Sequence, residues 1–134
     1  MMKNIFRYSL LILAIGILSA CASISVTDYA NNSPKLVLET FFNGQLRAHG
    51  IVKDRSGKVI RYFDASIDAS WQDGVGTLDE NFIFDDGEKQ QRIWTITKDA
   101  AGKYFGTAND VIGSSQLKFA GNGLFLDYVL RVPY

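Results

Sequence analysis

The chain holds one cysteine, Cys21, and one histidine, His49. A serine relay would need His49 as base beside a serine such as Ser114 or Ser115. Neither serine sits in a Gly-x-Ser-x-Gly elbow, so a wall or surface histidine is expected. A single histidine is also a poor start for a metal site. Five acids, Asp79, Glu80, Asp85, Asp86 and Glu88, crowd one stretch. Paired carboxylates can hydrolyse glycosides, and alternating ones with a closing glutamate can hold Ca²⁺. The alternation is missing here, and acids flanking a turn read as solvated. "DRSGKV" echoes a phosphate loop, but Val52 stands where its first glycine belongs. No catalytic residue, metal or cofactor is expected.

A binding constellation is more promising. Arg92, Trp94 and Ile96 alternate along one run and share a face. With Tyr62 and Tyr128, Arg92 and Trp94 form the candidate ligand-binding set. Inside a barrel, an arginine beside a tryptophan grips an anionic head group while aromatic rings hold an apolar tail. The competing reading pairs Arg92 with Asp110 to fix neighbouring strands, or stacks Arg92 outward on Trp94. It leaves Tyr62, Tyr104 and Tyr128 as core or rim residues. Both readings stay open on the sequence.

The thiol has a different assignment. "MMKNIFR" carries Lys3 and Arg7 and no acid, and "YSLLILAIGILSA" is apolar or small throughout. That order makes a bacterial export signal, its positive end cytoplasmic. An uncleaved anchor competes, because the run from Tyr8 to Val26 approaches the ~20 residues of a spanning helix. Leu18-Ser19-Ala20-Cys21 resembles the lipobox of bacterial lipoproteins. The resemblance implies a diacylglyceryl thioether on Cys21, cleavage before it, and a second acylation on the freed amine. Two acyl chains anchor stably where one binds marginally. Ala22 stands where an aspartate would imply retention at the inner membrane, so the outer membrane facing the periplasm is expected. Lipidation leaves no cysteine for a disulfide or a nucleophile.

Three segments follow: 1–20 as signal peptide, 21–34 as a polar lipidated tether, and 35–134 as one β domain. Loss of Lys3 and Arg7 leaves 12 basic against 14 acidic residues, a net charge of −2. Nucleic acid as a partner is thereby disfavoured. Aromatic residues at 13%, with 12 glycines and two prolines, suit an antiparallel β protein. Turn signals at Asn43-Gly44, 54–57, 72–76, 85–88, 99–102 and 121–123 separate short β-type runs. "KLVLETFF" fits either period, so one short helix is allowed over 36–42. The last run puts Leu124, Leu126, Tyr128, Leu130 and Val132 on one face, with Asp127 and Arg131 on the other. The expected fold is all-β, an antiparallel meander curling into a barrel, preceded by the signal-peptide helix.

"FFNGQLRAHGIVKDRSGKV", "DENFIFDDGEKQQRIWTITKDAAGKYFGTANDVIG" and "GNGLFLDYVLRVPY" together resemble one family. It is the bacterial lipoprotein family of domain of unknown function 3833, and the likeness covers nearly all of 35–134. The resemblance implies an exported lipoprotein with a lipocalin-like, calycin-type barrel and no established activity. Members usually continue for several strands beyond the position of Tyr134, so the barrel is expected to be incomplete at its C-terminal edge. The functional expectation is an envelope lipoprotein, attached to the membrane through Cys21, that binds a lipid or other small apolar ligand. The alternative is a structural or protein-interaction lipoprotein with a filled barrel; an enzyme is least favoured. A cavity of about 300 Å³ or more would separate the first two.

Overall fold

The computed structural model describes residues 23–133. The signal segment and Cys21 lie outside them. A 3-10 turn at Val26–Tyr29 and the single-turn helix α1 (Leu38–Phe41) precede seven strands. These are β1 (Gly44–Lys53), β2 (Val59–Gln72), β3 (Val75–Phe84), β4 (Lys89–Lys98), β5 (Tyr104–Ala108), β6 (Ser115–Ala120) and β7 (Gly123–Leu126). They pair in chain order as one antiparallel sheet with β1 and β7 at its edges. The expected meander is the fold, and it curls into a half-barrel.

Turn chemistry sets the register. Residues 54–58 and 99–103 share the pattern Asp-x-x-Gly-Lys. In each, the aspartate N–H donates to the lysine carbonyl, 2.9 Å and 2.8 Å respectively, and the glycine N–H returns to the aspartate carbonyl at 3.0 Å. Gly57 and Gly102 take φ of 85° and 80°, the left-handed position that closes such three-residue loops. The aspartate carboxylates accept from the loop amides, Asp54 from Ser56 and Lys58, Asp99 from Ala101 and Lys103. Asp54 also accepts from the Ser56 hydroxyl at 2.6 Å, and that bond, followed by the one from the Lys58 amide, holds it below the ordinary carboxylate range.

The curl has a local cause. Gly50, Gly76 and Gly106 face the concave side, and aromatic rings occupy the space their side chains would fill. A Cβ on Gly50 would lie 2.2 Å from the Phe63 ring, and one on Gly76 2.7 Å from the Trp71 ring. Glycine where another group approaches closely lets a sheet bend sharply.

One end of the half-barrel is closed. Leu38 on α1 is 1% exposed and packs among Ile67, Leu78, Trp94, Ile96, Tyr104 and Leu117. Hydrogen bonds pin the plug: Trp71 Nε1 donates to the Phe42 carbonyl at 2.8 Å, and Tyr104 Oη to Glu39 Oε1 at 2.6 Å. Residues 23–34 are mostly exposed; within them a capping box between Ser25 and Asp28 shapes the 3-10 turn, and Tyr29 lies against Phe125. Its backbone sits so close to Gly121 that a Cβ there would lie 1.8 Å from the Tyr29 carbonyl oxygen. The last strand is shorter than its alternation suggests: it stops at Leu126, whose partner on β6 is Leu117. Residues 129–131 pair instead with 110–112, through Ile112 N–H to the Val129 carbonyl and Arg131 N–H to the Asp110 carbonyl. Val132 is left 70% exposed, whereas Leu126, Tyr128 and Leu130 keep their inward alternation.

Candidate functional site

The other half of the concave face is an open cup of about 540 Å³. Parity decides what lines it. Arg61, Phe63, Ala65 and Ile67 of β2 point inward, as do Glu80, Phe82 and Phe84 of β3 and Gln90, Arg92 and Trp94 of β4. Leu126, Tyr128 and Leu130 close the far wall. Ala48 and Ala65 face one another across β1 and β2, and their short side chains leave the hollow. Trp94 is the floor, shared with the packed core below.

Three of the four sequence candidates meet here. The Trp94 and Tyr128 rings stand edge-on with centroids 5.3 Å apart. Arg92 lies between the rings of Phe82 and Tyr128, 5.6 Å and 5.5 Å from their centroids, and is only 7% exposed. Its guanidinium grips Asp110 in a fork: Nε donates to Oδ1 at 2.9 Å and Nη2 to Oδ2 at 2.8 Å. Nη1 reaches Tyr128 Oη at 3.4 Å. Arg92 therefore faces inward yet is committed to the Asp110 pairing. Tyr62 is apart from the others. It is 59% exposed on the convex face, because Asp64, Ser66 and Asp68 fix the even positions of β2 outward. It does not line the cup.

Glu80 is the inward acid. It sits opposite Arg92 in the β3–β4 register and accepts from Trp94 Nε1 at 3.1 Å. Burial raises its carboxyl above the ordinary value, against the smaller lowering effects of the Trp94 bond and the Arg92 charge; Asp110 adds to the rise. A raised acid costs stability as it ionises: the cost begins near the unfolded value of 4.5 and is complete above the folded one. Glu80→Gln keeps an acceptor for Trp94 and removes the charge. It should therefore melt higher than the parent at pH 7, with the difference vanishing near pH 4. Calorimetry at both pH values checks this; equal melting at pH 7 would contradict it.

The other acids disperse. Asp86 and Glu88 pair with Arg61 at the rim, at 3.2 Å and 2.8 Å, with Arg61 lying 3.7 Å over the Phe84 ring. Asp79 faces outward, bonded to Asn81 and Gln91, and Asp85 accepts from the Tyr62 amide. His49 pairs with Asp64 on the exposed face. It sits on the edge strand β1, whereas Ser115 is buried at the start of β6, so no relay forms between them. Among the described residues, no three His, Cys, Asp or Glu side chains converge on a common point.

No curated protein and no solved structure matches the chain. The model of the family described as protein of unknown function (DUF3833) matches residues 15–134, spanning every strand of the half-barrel, and the chain belongs to that family.

Proposed function

We propose that the protein is a cell-envelope lipoprotein, lipid-anchored through Cys21 at the periplasmic face of the outer membrane, whose half-barrel holds a small apolar or amphiphilic molecule. The observation that carries the binding reading is the cup itself. Its volume of about 540 Å³ falls in the range of ligand sites, about 300–1,000 Å³, and its wall is apolar with a few polar groups. Phe63, Phe82, Phe84 and Leu126 are only half-buried, so an apolar occupant would remove much of their surface from water at roughly 25 cal/mol per Å². The anchor reading rests on the Leu-Ser-Ala-Cys order, and no catalysis is assigned.

Two measurements test the reading. Cys21→Ser should leave the membrane fraction and lack the acyl mass; a wild-type chain with an intact signal and no lipid would overturn the anchor. For the cup, the neutral dye N-phenyl-1-naphthylamine should bind one per chain with quenching of tryptophan emission. Ala48→Trp fills the hollow and should abolish the site while the fold is kept, as circular dichroism would show. Dye binding unchanged in Ala48→Trp would refute the cup as the site, and the structural or protein-interaction reading would take its place.

A further inference from the structure

The charges around the cup decide which amphiphile it favours. Both guanidiniums that reach it are neutralised by protein carboxylates. Arg92 is held in the fork of Asp110, and Arg61 lies between Asp86 and Glu88. An incoming anion would have to displace these partners and then face the carboxylates left behind. Glu80 is different. It lines the cup, has no ion-pair partner within bonding distance among the described residues, and spends only Oε2 on Trp94. Oε1 remains a free acceptor. The rings of Trp94, Phe82 and Tyr128 line the same cup, a wall against which an ammonium gains from aromatic quadrupoles. Taken with Arg92 and Asp110, Glu80 gives the floor a net charge of −1.

We infer that the cup selects an apolar chain bearing a cationic amine, with the ammonium seated on the free oxygen of Glu80, over an anionic amphiphile of the same length. The inference rests on the binding reading above and goes further in fixing the sign of the ligand. Burial of Glu80 accords with it: an ammonium supplies a close counter-charge, whereas Arg92, committed to Asp110, acts on Glu80 only through space.

Three probes with one apolar chain separate the possibilities: decylamine, decanol and decanoate, each below its micelle-forming concentration at neutral pH. They are titrated calorimetrically into the full-length protein in phosphatidylcholine nanodiscs. The Ala48→Trp protein in the same discs subtracts partition into lipid. Decylamine should bind about tenfold more tightly than decanol, as expected of a charge-assisted hydrogen bond in a partly desolvated site, and decanoate should bind most weakly. Glu80→Gln should erase the preference of amine over alcohol. Asp64→Asn, which removes a carboxylate from the convex face, should leave the preference intact. Decanoate binding most tightly, or an amine preference that survives Glu80→Gln, overturns the inference and leaves the cup a binding site. Failure of all three probes to bind above the Ala48→Trp background removes the binding reading itself.

Discussion

Asp110→Ala should lower the stability of the domain by about 3 kcal/mol, because it strands a buried guanidinium. Arg92 is 7% exposed, and Asp110 supplies both oxygens of its fork. Removing one partner of a buried pair costs roughly 3–5 kcal/mol; the lower end applies because the Asp110 side chain keeps 30% of its exposure. The pair also predicts a pH dependence. The hydrogen bonds from Arg92 hold the Asp110 carboxyl below its ordinary value of 3.8. A depressed acid contributes stability above its unfolded value and loses it as the pH falls through the folded one. The gap between parent and Asp110→Ala should thus be full at pH 7 and shrink below about pH 4. Replacing both partners, as Arg92→Met with Asp110→Leu, should recover most of the loss, since an apolar pair needs no counter-charge. Urea unfolding measures all three; a single-variant loss under 1 kcal/mol would show that the fork is not what ties β4 to the 109–112 segment.

Leu38→Ala should cost a similar amount, about 3 kcal/mol, by opening a cavity beneath the plug. Leu38 is 1% exposed and is the residue of α1 that enters the core. The bonds from Trp71 to the Phe42 carbonyl and from Tyr104 to Glu39 hold α1 in place, so the site has little freedom to collapse around the missing methyls. Leu130→Ala is the contrast. At 40% exposure on the cup wall, it should cost under about 1 kcal/mol while weakening dye binding. Equal losses from the two variants would mean that the half-barrel has no packed end distinct from its open one.

Much of this fold can be read from local pattern. The turn residues mark every hairpin but the one between β5 and β6, and Asp, Ser and Asp at 64, 66 and 68 alternate with Ala65, Ile67 and Ala69, which sets both faces of β2. That same parity places Tyr62 outward, and the aromatic run Tyr62-Phe63 hides it, because either ring could be the inward one. Glu80 was legible in the same way: Leu78, Glu80 and Phe82 share a parity, so one acid of the crowded stretch had to face the cup. Counting it with the turn acids obscures that. The Arg92–Asp110 pair follows from sequence only as one of three options, because choosing among a ligand, a carboxylate and an outward stack on Trp94 requires the position of the 109–112 segment. The seat of Tyr29 against Phe125 is not legible at all. It depends on the recess at Gly121, which exists only once β6 and β7 have paired. The final run shows correct alternation but not its ladder, since alternation records which face a residue takes and not whether a neighbour lies alongside.

Native mass spectrometry of the protein extracted from its own membrane in mild detergent tests the central claim most directly. The cup reading predicts a noncovalent adduct of one small molecule per lipidated chain, released on denaturation and missing from Ala48→Trp. The lipidated mass alone, identical for the parent and for Ala48→Trp, would contradict it.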